Sequence, residues 1–318
     1  MRVGIIGCGR AADSLHIPAL RRIPGVNVTA LCDLDAGRLT ECGRRHGVSQ
    51  LHSVPEKLAA DGTVDVILLA APTAAHHAAM LDVAGFGKPV YLEKPVARTL
   101  EEAREIAALA ANVRVGMGFN LRSHRLVERA RSVVQSGALG RIVGIRSLLV
   151  GGVANRPLWQ TRFEDGGGPL YELGVHHFDL WRFLLGEEVT DPRASGDLDS
   201  TVSVAARFES GATASAMFAL SGAPANEIEI TGQRSRLRFS LYQGDSLAIE
   251  PAGRAGAMLA WAKELPDAAR SARLGGDFID SYRRHWLRFF ESVRSGNPMP
   301  ATVDDGIHAL SAVLEAAR

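Results

Sequence analysis

Short apolar strands alternate with helical segments over residues 1–120, and this alternation limits the possible folds more than any other feature. Strand candidates are 3–7, 28–32, 66–70, 89–92 and 113–118, and helix candidates lie near 11–22, 36–46, 75–84 and 99–111. Strands that are apolar on both faces and separated by helices are typical of a parallel sheet that is covered on both sides. We therefore predict an α/β domain over 1–120 with a doubly wound parallel sheet.

The pattern changes in the remainder of the chain. Helices are predicted over 123–136 and 169–185 and near 278–294 and 303–317, and a strand over Ile142–Val150. Between 201 and 250, apolar and polar residues alternate with period two around tight turns, which is typical of half-buried antiparallel strands. The turn 232–235 would place Glu229 opposite Arg238 in a hairpin. These features predict a second, α+β domain over 121–318 with a mostly antiparallel sheet and helices on one side.

Composition excludes several classes of protein. The 318 residues carry a formal net charge of +1, which is too balanced to indicate binding to nucleic acid or to an anionic membrane. No apolar run reaches the ~18 residues that a membrane span needs. The first strand begins almost at Met1, which leaves no room for a signal peptide, and the three cysteines show no paired metal spacing. We therefore expect a cytoplasmic protein with reduced thiols.

The first strand runs into a glycine turn and then into a helix. Gly7 permits the tight turn, Gly9 lets the backbone approach a pyrophosphate, and Ala12 allows close packing of helix on strand. The amino terminus of the helix would stabilise phosphate charge. This context predicts a dinucleotide site at residues 7–12, hereafter the glycine loop; the alternative is a glycine-rich turn with no ligand.

Asp33 stands at the end of the second strand, where a carboxylate accepts hydrogen bonds from an adenosine ribose. It would repel a 2′-phosphate, and the nearest basic residue that follows, Arg38, already lies in the next predicted helix. We therefore favour NAD over NADP as the cofactor. The alternative is that Asp33 caps a helix, although Asp35 can serve as that cap instead.

Two separated segments suggest one reaction centre. Lys94 follows a parallel strand and precedes proline, so it lies in extended backbone at the sheet edge where such folds bind ligands. Glu172 and His176 are spaced by four on a predicted helix, which places them on one face. A cation can favour a developing alkoxide, and an imidazole with an ordinary pKa near ~6.5 can take a hydroxyl proton. The alternatives are a solvated surface lysine and a Glu172–His176 ion pair.

Other polar residues offer further contacts to a substrate. The segment from Asn155 to Asp165 offers Trp159 to stack on a sugar ring, and Arg156 or Arg162 to bind an acid or phosphate. The alternative is a solvated loop with one packed tryptophan. His177 points about 100° away from His176 by helical geometry, so a structural role is expected. No histidine and carboxylate arrangement typical of zinc enzymes occurs, so no catalytic metal is predicted.

Motifs along nearly the whole chain together resemble the glucose–fructose oxidoreductase/inositol dehydrogenase (Gfo/Idh/MocA) family. They are the glycine loop, Asp33, Pro72-Thr-Ala-Ala-His76, Glu93-Lys94-Pro95, Gly118-Phe-Asn-Leu-Arg122, the run from Gly166 to Asp179, and the closing segments 285–290 and 304–310. The resemblance implies a Rossmann domain followed by a domain with an open, mostly antiparallel sheet. It also implies NAD(P)-linked oxidation or reduction of a sugar, a cyclitol or a derivative.

The resemblance also implies roles for individual residues. Lys94 corresponds to the active-site lysine and His176 to the acid/base histidine, whereas Glu172 stands where relatives commonly carry aspartate. The implied cofactor-binding residues are Gly7, Gly9, Arg10, Ala11, Ala12, Asp33, Pro72, Thr73, His76, Glu93 and Lys94. The implied substrate-binding residues are Lys94, Arg122, Trp159, Arg162, Glu172 and His176. The second domain's sheet often forms a homodimer or homotetramer interface in relatives.

We therefore predict an NAD-dependent sugar or cyclitol dehydrogenase. Three alternatives stay open at this stage: a reductase acting on a keto-sugar or imine, a non-catalytic NAD-binding regulator or scaffold, and an enzyme whose tightly held cofactor serves two substrates in turn. The presence of Lys94, His176 and an acid at position 172 argues against the regulator.

Overall fold

The computed structural model describes residues 1–152, 156–242, 247–250, 266, 268–274 and 276–318. The chain forms two compact units. The first comprises Met1–Asn120 with Tyr282–Ile307, and the second comprises Leu121–Ser281 with His308–Arg318. Within the described ranges, no helix combines the length and the apolar character required to cross a membrane.

The first unit is built on a six-stranded parallel sheet. Its strands are β1 (Arg2–Ile6), β2 (Asn27–Cys32), β3 (Gln50–His52), β4 (Val66–Leu69), β5 (Val90–Leu92) and β6 (Val115–Met117). The spatial order is β3-β2-β1-β4-β5-β6. Every residue of the central strand β4 is fully buried, as a strand covered on both faces requires. The predicted doubly wound parallel sheet is confirmed, although β3 was not predicted because three residues carry too little periodicity.

Helices connect these strands. They are a wide helical turn (Ala11–His16) that continues into α1 (Ile17–Leu20), then α2 (Ala36–His46), α3 (Pro55–Ala60), α4 (His76–Ala84) and α5 (Leu100–Ala110). The Asp35 side chain accepts from the Arg38 backbone N–H and so caps α2, as the sequence suggested. Thr99 and Glu102 form a reciprocal capping box at the start of α5. These capping residues explain why the observed bounds of α2 and α5 agree closely with the bounds predicted from the sequence.

The chain returns to the first unit near its carboxyl end. Helix α9 (Asp277–Ser295) carries Trp286, Phe289 and Phe290, which are buried in the same apolar core as Tyr91 and the β1 side chains. The predicted second domain spans all of 121–318, whereas Tyr282–Ile307 belongs to the first compact unit. An amphipathic pattern shows that a helix face is apolar but not which core it enters, so this return was not predictable from the pattern.

The second unit contains a seven-stranded mixed sheet. Its strands are β7 (Ile142–Val150), β8 (Val189–Asp197), β9 (Thr201–Phe208), β10 (Thr213–Ala219), β11 (Ala225–Gly232), β12 (Arg236–Ser240) and β13 (Ala248–Glu250), in the order β13-β12-β11-β7-β10-β9-β8. Only β7 and β10 pair in parallel. The predicted pairing of Glu229 with Arg238 is confirmed. Strand β8 was not predicted.

One face of this sheet is covered by helices. The second unit's helices are α6 (Arg125–Gln135), α7 (Leu158–Thr161), a wide turn (Leu170–Gly174) that continues into α8 (Val175–Leu185), and the end of α10 (Val303–Ala316). On α8, Phe178 meets Phe218 of β10 edge-on, and the Trp181 indole N–H donates to the Ser147 hydroxyl of β7 at 2.9 Å. These contacts hold α8, which begins next to Glu172, in a fixed place on the sheet.

Candidate functional site

The glycine loop starts where β1 ends. Gly7 has φ +93°, and a Cβ there would lie 2.6 Å from backbone atoms of Ala70 and Ala71, so only glycine fits. At Gly9 a Cβ would meet no described atom within 4 Å, so this side of the loop is open. Ala12 is fully buried where the helical turn packs against the sheet. An open backbone at Gly9 fits the close approach of a pyrophosphate, so the loop has the form that a dinucleotide needs.

Asp33 links the end of β2 to the glycine loop. Its carboxylate accepts the Cys8 backbone N–H at 2.8 Å and the Asp35 backbone N–H at 2.9 Å. The Arg38 guanidinium folds back from α2 and lies 3.3 Å from the same carboxylate. The carboxylate is therefore held in place before any ribose binds, and a cation stands beside it, which the sequence alone did not indicate.

The residues after β4 differ in how they are exposed. Pro72 is exposed, whereas Thr73 and His76 are buried. The ring nitrogens of His76 lie 2.8 Å from the Pro95 carbonyl oxygen and 2.9 Å from the Ala71 carbonyl oxygen. Burial lowers the pKa of His76, against the opposing effect of those carbonyls. These contacts tie the segment after β4 to the segment after β5, and a direct contact between His76 and a cofactor stays a prediction.

Lys94 stands at the carboxyl end of β5, followed by a cis Lys94–Pro95 peptide bond. The preceding Glu93 is buried, and its Oε2 accepts the Lys94 backbone N–H at 3.1 Å. The other oxygen, Oε1, lies 2.7 Å from Nε2 of His16. Internal contacts thus engage both carboxylate oxygens and hold the lysine backbone in place, and the sequence analysis overlooked His16 as the partner.

In the second unit, Glu172 lies within the wide turn Leu170–Gly174, and His176 lies in the first turn of α8. Both residues are half-buried, and the Glu172 side chain is only 12% exposed. His177 is fully buried, with its ring 5.5 Å from that of Phe218, which agrees with the structural role expected of it. A wide turn still places side chains four residues apart on nearly the same side of a helix, so Glu172 and His176 are expected to face the same side.

The segment before this helix contributes an arginine. Arg156 Nη1 lies 3.8 Å from Glu172 Oε2, and both side chains are largely buried. Trp159 on α7 is partly buried, whereas Arg162 is exposed, with Glu164 and Asp165 beside it. Asn155, where the predicted segment begins, lies outside the described residues. Arg156 therefore supplies charge beside Glu172, and the roles of Trp159 and Arg162 in binding substrate stay predictions.

The side chain of Arg122, which the resemblance assigns to substrate binding, forms a buried ion pair. Its guanidinium pairs with both oxygens of Asp179, with Nε 2.9 Å from Oδ2, and both side chains are buried. The guanidinium also lies 5.1 Å from the ring centre of Phe183. This buried pair ties the start of the second unit to α8, and breaking it would leave an uncompensated charge. Its predicted contact with substrate stays untested.

Only one group of potential metal ligands occurs among the described residues. Ligand atoms of Asp13, Cys42 and His46 all lie within 4.8 Å of one another. The Asp13 carboxylate is already bonded to Arg45 at 2.6 Å and to His46 at 2.7 Å. A guanidinium on the carboxylate disfavours a second cation, so the group is best described as a hydrogen-bonded cluster.

Two models of known protein families match this chain. A family model described as the oxidoreductase family with an NAD-binding Rossmann fold matches residues 1–119, and a model of the GFO/IDH/MocA C-terminal domain matches residues 127–238. The chain belongs to the GFO/IDH/MocA family. It is accordingly an oxidoreductase with an NAD-binding Rossmann domain, as the glycine loop indicated.

Members of the GFO/IDH/MocA family align with nearly the whole chain. Myo-inositol 2-dehydrogenase of Thermotoga maritima is 28% identical over 336 residues, covering 98% of this chain and 93% of that protein. The 1,5-anhydro-D-fructose reductase of Ensifer adhaerens is 26% identical over 343 residues, covering 99% and 96%. The crystal structure of scyllo-inositol dehydrogenase from Lactobacillus casei with NAD(H) and scyllo-inositol has a TM-score of 0.78 at 19% identity, covering 100% of this chain and 95% of that one. The last comparison shows a common fold.

Proposed function

We propose that this GFO/IDH/MocA oxidoreductase is an NAD-dependent dehydrogenase that acts on a hydroxyl carbon of a sugar, a cyclitol or a sugar derivative. The observation that carries the proposal is Lys94 at the carboxyl end of β5, with its backbone bonded to a buried carboxylate. A lysine whose backbone is fixed at the carboxyl edge of a parallel sheet is better suited to contact a reacting ligand than a lysine on a solvated surface. The names of the two aligned relatives support a polyol or sugar as the substrate.

The residues of the chain divide the chemistry between them. NAD, when bound, supplies the acceptor for the hydride that leaves the hydroxyl carbon. The Lys94 ammonium holds the hydroxyl oxygen and stabilises the negative charge that develops on it. His176 takes the hydroxyl proton as a general base. Glu172, paired with Arg156, orients a neighbouring hydroxyl and the imidazole. One hydride and one proton thus leave the same CH–OH group and yield a carbonyl.

Replacement of the two reacting side chains tests this proposal. Lys94→Ala and His176→Ala should each lower kcat by about 100-fold or more, because general acid–base catalysis alone contributes about 10²–10⁴. Affinity for NAD should change little, since the glycine loop and Asp33 provide most nucleotide contacts. Turnover is measured as NADH absorbance with a panel of sugars, cyclitols and nucleotide sugars, and affinity by calorimetry.

Lys88 supplies a matched control. It precedes the same strand β5 at its amino end, where its Nζ donates to the Asp61 carbonyl oxygen at 2.6 Å. Lys88→Ala should therefore leave turnover within about twofold of the wild type, since the interaction is remote from the carboxyl edge. Wild-type turnover in both Lys94→Ala and His176→Ala would overturn the proposed roles. Binding of NAD without turnover of any substrate would favour a regulator.

The reverse reaction is the second candidate. A relative that covers 99% of this chain is named a reductase of an anhydro-keto-sugar. In that direction Lys94 polarises a carbonyl oxygen and His176 donates the proton, so the same residues are required. Consumption of NADH with keto-sugars, compared with its formation from the corresponding alcohols at the same pH, distinguishes the preferred direction.

We further propose that NAD is preferred over NADP, that the protein forms a homodimer or homotetramer, and that it is cytoplasmic. Asp33 supports the first proposal, because its carboxylate would repel a 2′-phosphate. The second is supported by the outward face of the second unit's sheet, where Met217 is exposed. The third is supported by three cysteines that are all free thiols, as is usual in a reducing compartment.

A further inference from the structure

A buried series of polar contacts within the first unit links α9 to the segment that carries Lys94. The Trp286 indole Nε1 donates to Nδ1 of His16 at 3.0 Å. Nε2 of His16 lies 2.7 Å from Glu93 Oε1, and Glu93 Oε2 accepts the Lys94 backbone N–H at 3.1 Å. Trp286 and His16 are fully buried, and Glu93 is 6% exposed. We call Trp286, His16 and Glu93 the buried relay; the reaction outlined above gives its first two members no role.

The hydrogen bonds of the buried relay run in one direction. An indole N–H can only donate, so Nδ1 of His16 must present a lone pair to Trp286. The imidazole then carries its hydrogen on Nε2 and donates it to Glu93. A protonated ring would place a second hydrogen on Nδ1, directly against the indole N–H. The arrangement therefore selects one tautomer of the neutral ring, and it leaves the carboxylate as the final acceptor.

The carboxylate of Glu93 keeps its charge although it is buried. Burial by itself raises the pKa of Glu93, but the opposing effects of His16, first of all its hydrogen bond, and of Lys94 hold the pKa below its usual value. A buried charge is tolerated only when its oxygens are satisfied, and here His16 and the Lys94 backbone engage both of them. A fixed negative charge thus lies directly behind the lysine.

Aromatic rings hold the buried relay in position. Tyr91 stacks on Trp286 with ring centres 4.2 Å apart and planes inclined by 21°. The His16 ring meets Tyr91 and Tyr282 edge-on, at 5.4 Å and 5.0 Å between centres. At Gly118 a Cβ would lie 2.7 Å from Glu93 Oε1, so the neighbouring strand also approaches the carboxylate closely. Rigid packing of this kind is what an active-site group needs from its supporting residues.

We propose that Trp286 and His16 are positioning residues, which act through Glu93 to fix the backbone and the charge environment of Lys94. The proposal rests on the reacting role proposed for Lys94. If it is correct, weakening the buried relay lowers kcat more than it changes KM or NAD affinity. A purely structural role would instead lower the amount of folded enzyme without changing the turnover of each folded molecule.

Two conservative substitutions within one aromatic stack provide the first test. Trp286→Phe keeps a ring but removes the N–H, and it should lower kcat about 5- to 10-fold, the equivalent of one lost hydrogen bond. Tyr91→Phe removes a hydroxyl that has no hydrogen-bond partner among the described residues, and it should leave kcat within about twofold. The kcat per folded molecule is measured after active-site titration. If Trp286→Phe and Tyr91→Phe change it equally, the proposal is overturned.

Two substitutions at the imidazole test its donor. His16→Gln can still offer an N–H to Glu93, whereas His16→Phe fills the aromatic site without any donor. We expect His16→Phe to lower kcat at least as much as Trp286→Phe does, and His16→Gln to recover part of the loss. An equal loss in both variants would show that the hydrogen bond to Glu93 is unimportant and would contradict the relay.

The decisive comparison is made in the absence of the lysine side chain. If the buried relay acts through the Lys94 ammonium, Trp286→Phe should lower kcat in the wild type but have almost no further effect on the residual turnover of Lys94→Ala. A structural defect would lower turnover by the same factor in both backgrounds. Such additivity would overturn the proposal even if every single variant behaves as expected.

A spectroscopic measurement separates the relay from the proposed reaction. Nitrogen NMR of protein labelled in histidine should show His16 as a single tautomer with its hydrogen on Nε2 near neutral pH. A mixture in the wild type would overturn the relay. This measurement needs no substrate, so a failure of the dehydrogenase proposal on the panel leaves the relay testable by itself.

Discussion

At the scale of single residues, the Asp33 carboxylate and the Arg38 guanidinium beside it should have opposite effects on the preference for NAD over NADP. Backbone N–H groups of Cys8 and Asp35 fix its carboxylate, while the Arg38 guanidinium lies 3.3 Å away. The carboxylate should make NAD bind at least ~10-fold more tightly than NADP, a difference of about 1.4 kcal/mol. Asp33→Ser should narrow this ratio, whereas Arg38→Ala should widen it because a cation that could attract a 2′-phosphate is lost. Calorimetric titration of the three proteins measures the ratio; equal affinities in the wild type would refute the argument.

At the scale of elements, the packing of helix α8 buries His177 and so makes the stability of the protein sensitive to acid. Burial lowers the pKa of His177 to about 4, against an opposing contribution from Asn226. The ring is neutral in the folded state but protonates near pH ~6.5 in the unfolded chain, so its contribution to stability is complete above that pH and is lost as the pH falls towards 4. Between pH 7 and 5 the wild type should lose about 2 kcal/mol more unfolding free energy than His177→Leu or His177→Phe. Urea denaturation at both pH values measures this, and equal losses in wild type and variants would contradict it.

At the scale of the whole molecule, we propose that the outward face of the seven-stranded sheet is an assembly surface. Side chains of β9 and β10 alternate between buried and exposed, and Ala205, Ser215 and Met217 lie on the exposed face. Glu229 and Arg238 lie on the same face, and a face of small and mixed side chains is suited to a second copy of the chain. Light scattering at micromolar concentration should therefore give the mass of a dimer or tetramer. Met217→Glu should shift the mass towards the monomer, whereas Thr40→Glu on the exposed side of α2, which is not part of this sheet, should not; a monomeric wild type would refute the proposal.

The sequence by itself determined the features that short stretches of chain encode. Alternating strands and helices identified the parallel sheet, and the spacing of Gly7, Gly9 and Ala12 predicted a nucleotide loop, because turn chemistry and periodicity act over a few residues. The pairing of Glu229 with Arg238 followed in the same way from a tight turn. The resemblance to a known family likewise depended on motifs that can be read in order along the chain.

Only the tertiary structure decided which distant residues meet. His16 and Trp286 lie 270 positions apart but share a hydrogen bond, and Arg156 lies beside Glu172. The aromatic face of α9 is compatible with either core, and the structure places Trp286 against Tyr91 in the first unit. Contacts of this kind depend on how whole elements pack. The residue pattern of an apolar helix face indicates that the face is buried, but not which element it packs against. The sequence therefore identified Lys94, whereas the buried groups behind it emerged only from the folded chain.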